Sequence, residues 1–303
     1  MLLPLVLGDY PVHIMTVACY YVIMASSWNL IAGYTGLFSL AHHVFSGIGG
    51  YASALLVIRS GIPIPLGIVA GGVTSGVVGY GIGALTLRMR ALYLALATWA
   101  FAESTRVFVS MEYGFTRGDL GLPVPKLLAT PSPRPAYEVF LLLAVVTVGG
   151  LAVLLRSRIG YRLRAIRDDE GAARAVGVNT VRWKRFVFAA SSAAAGVAGA
   201  VYGHYIGLLS PIGMKFDEMA LIIIMVILGG QRTLAGPVLG AVVVEVVSEA
   251  LRAYGQIRMV LFALVVLGIM RLYPLGLVGL VRAVLTRARG RSSRPLQQAG
   301  RVP

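Results

Sequence analysis

Apolar stretches long enough to cross a membrane recur along almost the whole of this chain. They lie at about 11–32, 37–58, 63–87, 91–111, 137–155, 186–208, 217–230, 234–251 and 257–280. About twenty helical residues cross the roughly 30 Å hydrocarbon core of a bilayer. With 57% hydrophobic residues, 13% charged residues and a mean hydropathy of +0.81, the chain is not a soluble domain.

The stretches lack the regular polar and apolar alternation of membrane β-barrels, so helices are the structure that satisfies their backbone polar groups in lipid. We therefore predict an all-α membrane protein, a polytopic helical bundle of about eight to ten transmembrane helices with broken or re-entrant segments. Its 303 residues leave no room for a separate globular domain. We expect one transmembrane domain over 1–281 and a basic, disordered tail over 282–303.

The placement of the basic residues predicts the orientation of the bundle. The net charge of +15 is carried mainly by short loops between the stretches and by the tail, which is a topology signal and not a nucleic-acid patch. Arg88 and Arg90, the charged segment 156–185 and the tail all fall on one side if nine stretches cross. We predict a multi-pass membrane protein with an outer amino terminus, a cytoplasmic carboxyl terminus and lipid contacts along the tail.

Two glycine-containing interruptions divide the stretches. Gly229 and Gly230 interrupt the short seventh stretch, and the sequence GYTG at 33–36 separates the first from the second. Non-helical backbone within a membrane is tolerated where protein or water covers it, and paired interruptions of this kind are typical of transport pathways. We expect a broken or re-entrant element at each position.

The charged segment 156–185 holds nine Arg or Lys residues and three acidic ones between two membrane-length stretches. We expect Asp168, Asp169 and Glu170 in the first turn of a short helix, where negative charge is favourable. Alanines follow, and Gly177 suits the end of that helix because it permits a sharp turn. A plain positive-inside loop is the alternative, although topology alone requires no compact helix with small residues.

The same segment carries a family resemblance. The pattern E-x-A-A-x-x-x-G, formed by Glu170, Ala172, Ala173 and Gly177, resembles the cytoplasmic coupling loop of ABC importer permeases. The longer string RDDEGAARAVGVNT at 167–180 is similar to the version in branched-chain amino-acid permeases of the LivM type. The resemblance implies that this loop docks on an ATPase through Asp169, Glu170, Ala172, Ala173, Arg174 and Gly177. Gly171 departs from the bulkier apolar residue usual at its position.

Three further stretches resemble the same family. They are SWNLIAGYTGLFSLAHHVFSGIGGYASALL at 27–56, LYLALATWAFAESTRV at 92–107 followed by TRGDLGL at 116–122, and LGGQRTLAGPVLGA at 228–241. The resemblance therefore extends from about residue 20 to 280. The departures are Leu37 for the usual glutamine, Ala41 for glycine, and Arg117 and Arg232 at positions that are usually small. They bear on the substrate more than on the transporter class.

Polar residues and glycines within the stretches are candidates for the translocation pathway. We select Asn29, Tyr34, Ser39, His42, Thr98, Gly229 and Gly230. Hydrogen bonding between helices is an equally good explanation for the polar ones. His42 and His43 diverge on a helix, and Cys19 is the single cysteine, so we expect no metal site and no disulfide within the chain.

Ionisable residues inside the stretches receive their own interpretations. Glu103 and Arg106 are three residues apart, so we expect a structural ion pair that faces the bundle, with a transport role as the alternative. Glu245 and Glu249 share a helical face by the same kind of spacing, and the sequence names no partner for them.

Taken together, the resemblance implies the permease subunit of an ATP-driven importer for branched-chain amino acids in the plasma membrane of a prokaryote. Residues 1–281 then form the permease domain, and the chain performs no chemistry and needs no cofactor. The implied partners are a homologous second permease of the LivH type, two ATPases that bind ATP and Mg²⁺, and an extracytoplasmic binding protein. Urea, short amides or another small polar solute are alternative substrates. A stand-alone channel, a secondary carrier or an intramembrane enzyme are rival classes.

Overall fold

The computed structural model describes residues 8–86, 89, 91–128, 132–251, 257, 264, 267–268, 271 and 276–279. Across these residues the chain is a polytopic all-α bundle, which confirms the predicted fold class. Most of the predicted ninth stretch at 257–280, together with Arg88, Arg90 and the tail at 282–303, lies outside the described residues.

The long helices follow the apolar stretches closely. They are α1 (Asp9–Thr35), α2 (His42–Ser60), α3 (Ile64–Thr86), α4 (Ala91–Met111), α6 (Arg134–Arg156), α9 (Thr180–Ile206), α10 (Phe216–Gly229) and α11 (Ala235–Ala250). The short helices are α5 (Tyr113–Thr116), α7 (Arg158–Asp168) and α8 (Glu170–Ala175). Two short strands, β1 (Leu122–Pro123) and β2 (Leu208–Leu209), pair antiparallel, and single 3-10 turns cover Gly118–Leu120 and Pro211–Met214.

Among the described helices, α1, α3, α6 and α9 are long and apolar enough to cross a bilayer by length and composition alone. Helix α1 lies at the centre of the bundle, and its Trp28, Ile23 and Met24 are completely buried. Helices α3 and α6 expose large apolar side chains such as Val73 and Val146, which suits contact with lipid.

Helices α2 and α9 approach closely because small residues line their contact. A Cβ atom placed on Gly49 would lie 2.3 Å from the Cα of Gly196, and one on Gly199 would lie 2.0 Å from the carbonyl oxygen of Ser46. Small residues are the usual means of close helix packing in membranes, where no hydrophobic effect drives helices together.

The connection between α1 and α2 folds back into the bundle. Helix α1 continues through the GYT of the predicted interruption and ends at Gly36, which has a φ of +71°. The break is therefore at 36–41, later than predicted at 33–36. The indole nitrogen of Trp28 donates a hydrogen bond to the carbonyl of Ser39 at 2.8 Å, so α2 begins about two turns inside the end of α1.

A second connection enters the bundle from the opposite end. Residues 207–215 lead inward from the end of α9, and the side chain of Met214 packs against Gly47 of α2. The hydroxyl of Tyr21, near the middle of α1, donates to Oε2 of Glu218 at 2.8 Å. Helix α10 therefore starts at the middle depth of the bundle, and its 14 residues are too few to cross a bilayer.

Helix α10 then runs toward the end that carries α7 and α8, here called the α8 end. It stops at Gly229, as predicted, and Gly230 adopts a φ of +119°, which side chains rarely adopt. Helix α11 returns to the opposite end, where the Tyr10 hydroxyl donates to Oε1 of Glu249. The predicted broken element is thus a half-length helix paired with α11.

Candidate functional site

The short helix α8 is capped at both ends by its own sequence. The carboxylate of Asp169 accepts a hydrogen bond from the backbone N–H of Ala172 at 2.9 Å, which makes Asp169 the N-cap. At the other end, Gly177 N–H donates to the Arg174 carbonyl and Val178 N–H donates to the Ala173 carbonyl, both at 3.0 Å. This is a Schellman motif, and the φ of +84° at Gly177 is the conformation it requires.

Asp168 does not belong to this helix, contrary to the sequence-based expectation. It is the last residue of α7, where it pairs with Arg167 at 2.7 Å. Because Asp169 adopts an extended conformation between the two helices, the three acids are divided between the end of α7, the cap and the first turn of α8.

Glu170 fastens α8 to the start of α9. Its carboxylate accepts from Nη2 of Arg174 and from Nζ of Lys184, each at 2.6 Å. Burial alone would raise the pKa of Glu170, but hydrogen bonds from Lys184, Thr180 and Arg174 outweigh it and hold the pKa below its usual value. Lys184 is only 7% exposed, so its ammonium group depends on Glu170 for a partner.

The exposed face of α8 differs from the predicted one. Ala173 is 3% exposed and packs toward its own chain, so it positions α8 and does not face outward. The outward surface consists of Gly171, Ala172, Arg174, Ala175, Val176 and Gly177. Val176 is 79% exposed and was not among the sequence-predicted residues. An apolar residue inside a strongly charged segment was the signal that could have found it.

Helix α7 was not predicted, and it joins α8 to the bundle. Leu163 and Ile166 are buried on one face of this otherwise basic helix. Nη1 of Arg167 lies 3.4 Å from the Gly33 carbonyl, and its side chain packs against Gly36. Helix α9 also begins earlier than predicted, at Thr180 instead of 186, because Asn179 caps it by accepting from the N–H of Arg182. The charged segment is therefore nearly all helical.

Asn29 connects the end of α1 to the loop between α10 and α11. Its Nδ2 donates to the Thr233 carbonyl at 3.0 Å, and its Oδ1 accepts from the Arg232 N–H at 3.3 Å. Gly33 lies in the same contact, since a Cβ atom there would be 3.1 Å from the Arg232 nitrogen. Asn29 and Gly230 are both among the residues predicted for the pathway, and the structure joins the Asn29 side chain to the loop that follows Gly230.

The glycines Gly229 and Gly230 serve close packing of α10 against α11. A Cβ atom on Gly229 would lie 1.9 Å from the carbonyl oxygen of Gly236. A Cβ atom on Gly236 would in turn lie 2.0 Å from the carbonyl oxygen of Gly230. Thr233 completes the turn, because its hydroxyl accepts from the Gly236 N–H at 2.9 Å. Both glycines are buried.

The other predicted pathway residues are buried between helices. Nε2 of His42 lies 2.8 Å from the Ser27 hydroxyl, and Thr98 Oγ1 accepts from the Leu40 N–H at 2.9 Å. The Ser39 side chain is completely buried, and Tyr34 is 7% exposed within an apolar cluster. The geometry of these residues favours interhelical hydrogen bonding and packing, the alternative that the sequence left open.

Glu103 and Arg106 form the expected ion pair, but it does not face the bundle. Nε of Arg106 donates to both carboxylate oxygens of Glu103 at 3.1 Å. The Arg106 side chain is 24% exposed and that of Glu103 is 44% exposed, so the pair lies on the surface of the chain. The i,i+3 spacing predicts that the two side chains pair, but it does not predict whether they point toward the bundle or away from it.

The family model described as branched-chain amino acid transport system / permease component matches residues 10–273. The chain belongs to this family. The matched range includes α8, the two chain breaks and the segment around Asn29.

Named relatives agree with this assignment. The chain is 29% identical to the high-affinity branched-chain amino acid transport system permease protein LivM of Salmonella typhimurium, over 95% of this chain and 75% of the relative. LivM of Escherichia coli is 28% identical over 95% of this chain and 74% of its own length. LivH of Salmonella typhimurium is 24% identical over 87% of this chain and 92% of its own length. No solved structure matches the chain.

Proposed function

We propose that this chain is the membrane permease subunit of an ATP-driven ABC importer and that it takes the LivM place in a system for leucine, isoleucine and valine. The family match and the relatives named LivM and LivH support this assignment. The structural observation that carries it is α8, a helix fixed to the bundle by Glu170 and Lys184 that presents a small, exposed surface.

The assembly that we propose contains a homologous LivH-like permease, two ATPase subunits and an extracytoplasmic binding protein. ATP and Mg²⁺ are bound by the ATPases, and this chain needs no cofactor. The α8 end of the bundle is cytoplasmic and the amino terminus is outside, because the ATPases act where ATP is present. The excess of arginine and lysine in 156–185 supports this orientation.

Transmission of ATPase motion follows from the contacts of α8. A displaced α8 pulls on α9 through the Glu170–Lys184 pair. It also moves α7, whose Arg167 contacts the last turn of α1 at Gly33. Asn29 in that same part of α1 holds the loop between α10 and α11. Rigid helices joined by these contacts convert a docking movement into a shift of the half-length helix α10.

Uptake by the complete operon tests this function. Radiolabelled leucine is supplied to cells that express all candidate subunits, with or without this chain. We expect ATP-dependent uptake that requires the chain and is competed by isoleucine and valine. ATP-dependent uptake of urea or a short amide without leucine uptake would contradict the substrate, and uptake that needs no ATPase would contradict the importer class.

A further inference from the structure

Four charged side chains, two of them exposed and two partly exposed, lie on one region of the chain. Glu103 and Arg106 lie on α4, and the exposed Lys215 and Asp217 flank the first residue of α10. Two aromatic side chains join the two groups, because the rings of Trp99 and Phe216 meet edge to face with their centroids 6.3 Å apart. These six residues are here called the mid-depth surface.

Contacts with α1 fix the depth of the α10 part of this surface. Glu218 binds the Tyr21 hydroxyl, and Tyr21 stands near the centre of a helix of 27 residues. Met214 contacts Gly47 of α2 at a similar level. The hydroxyl of Tyr20 lies 3.0 Å from the hydroxyl of Ser46, the residue before Gly47, so Gly47 is level with the middle of α1. Lys215 and Asp217 immediately precede Glu218, so both belong to the middle depth of the bundle.

The depth of the ion pair on α4 follows from a separate contact. Thr98 accepts from the N–H of Leu40, whose neighbour Ser39 bonds the indole of Trp28. Glu103 is five residues beyond Thr98, or about 7.5 Å closer to the opposite end at 1.5 Å per residue. That distance brings Glu103 from the level of Trp28 to about the level of Ile23, which is within one helical turn of Tyr21.

Charged groups at this depth are incompatible with lipid. A charge near the centre of a bilayer is costly, and such residues face the interior of an assembly or a water-filled cavity. The exposed faces of α3 and α6 are apolar by contrast, with Val73 59% and Val146 60% exposed. The mid-depth surface differs from these faces because it carries four charged side chains. Its two aromatic side chains, Trp99 and Phe216, are 45% and 43% exposed.

We infer that the mid-depth surface is the wall of the translocation pathway and contacts the amino acid in transit. A zwitterion with an apolar side chain matches its chemistry: Lys215 suits the carboxylate, Asp217 and Glu103 suit the ammonium group, and the aromatic rings suit the aliphatic part. The inference rests on the proposed function, and it names the part of this chain that meets the substrate.

Cysteine accessibility in the complete importer tests this inference. In a Cys19→Ala background, single cysteines replace Lys215, Asp217 or Trp99, and a membrane-impermeant methanethiosulfonate with a charged head group is added. Because the reagent needs water, we expect these cysteines to react at least about tenfold faster than lipid-facing ones, and millimolar leucine to slow the reaction. Val73→Cys and Val146→Cys are matched controls, exposed at comparable depth on α3 and α6.

Two results would overturn the inference. One is a reaction as slow as that of the α3 and α6 controls, which would mean contact with lipid. The other is fast reaction of the isolated chain with none in the complex, which would mean a sealed subunit interface. Leucine uptake by the same vesicles before labelling separates these failures from failure of the proposed function, because uptake must be present for either result to count.

Replacing the lysine tests contact with the substrate itself. Lys215→Gln keeps a polar side chain but loses the charge-assisted bond to the carboxylate, so we expect the KM for leucine to rise about tenfold or more. Lys126→Gln, at an exposed lysine in the loop beside Gly207, is the control and should leave the KM unchanged. An unchanged KM in Lys215→Gln, with normal uptake, would contradict the contact.

Discussion

At the scale of single residues, Glu170 stabilises the fold, a role that its place in the E-x-A-A-x-x-x-G pattern does not predict. It neutralises Lys184, which is almost completely buried, and it also pairs with Arg174 along α8. Breaking such a pair from one side leaves the buried partner without compensation. The carboxylate therefore holds α8 against the start of α9.

Replacement of this carboxylate should lower stability in a pH-dependent way. Glu170→Gln keeps the shape but loses the charge, and we expect about 1 kcal/mol of destabilisation, a small value because Glu170 is one-third exposed. Because its pKa is depressed in the folded chain, the contribution of Glu170 is present above the ordinary glutamate pKa and is lost as pH falls through its folded value.

Thermal unfolding of the purified complex at pH 7 and at pH 4 measures this effect. The difference between wild type and Glu170→Gln should be present at pH 7 and should shrink at pH 4. Lys184→Met provides the partner variant, and the double replacement should cost less than the sum of the two single ones. A difference that grows at low pH would show that the pairing is not the source of stability.

Arg232 occupies a backbone conformation that favours glycine. Its φ is +68°, and it stands in the loop that Asn29 holds. A side chain in this conformation costs about 1 kcal/mol relative to glycine. We expect Arg232→Gly to raise the melting temperature of the complex and Arg232→Ala, which retains a Cβ atom, not to do so. Equal melting temperatures for the two variants would exclude backbone strain as the cause.

At the scale of elements, the contact between α1 and the loop that joins α10 to α11 links the central helix to the half-length helix. Asn29 supplies both a donor and an acceptor to the loop backbone. On the other side of the same helix end, Arg167 of α7 reaches Gly33. The last turns of α1 therefore contact both α7 and the loop that follows the half-length helix α10, and under the proposed function this contact passes motion from one to the other.

Removal of the Asn29 side chain should uncouple ATP hydrolysis from transport. With Asn29→Ala we expect ATPase activity to persist while leucine uptake falls by about tenfold, because both hydrogen bonds to the backbone of the loop between α10 and α11 are lost. Ser39→Ala is the control, since the bond from Trp28 goes to the Ser39 backbone carbonyl and survives. Uptake and ATPase activity are measured in the same proteoliposomes, and parallel loss of both in Asn29→Ala would contradict an uncoupling role.

At the scale of the whole molecule, the sequence predicted the helix bundle, the approximate positions of the long helices and the broken seventh stretch because apolar length and glycine placement are local signals. It did not predict the amphipathic helix α7, whose two buried apolar side chains, Leu163 and Ile166, stand among arginines. It also could not show that α2 and α10 both begin inside the bundle. Chain reversals of that kind depend on distant contacts such as Tyr21 with Glu218.

In the candidate site too, the sequence predicted the local features and not those that depend on packing. Asp169 and Gly177 have the capping roles that their residue types suggest, since caps depend on neighbours in sequence. The direction of a helical face depends on packing instead. Ala173 therefore points inward where docking was expected, and the ion pair on α4 points outward where burial was expected.

The central claim is that α8 is the element through which an ATPase drives this permease. Val176→Glu tests it most directly, because Val176 is 79% exposed and contributes no hydrogen-bonding side chain to the fold. Val176→Ala is the control. In proteoliposomes with all subunits, we predict that Val176→Glu leaves basal ATP hydrolysis intact and abolishes both leucine-stimulated hydrolysis and leucine uptake, whereas Val176→Ala retains them. Full stimulation and uptake in Val176→Glu would contradict the account.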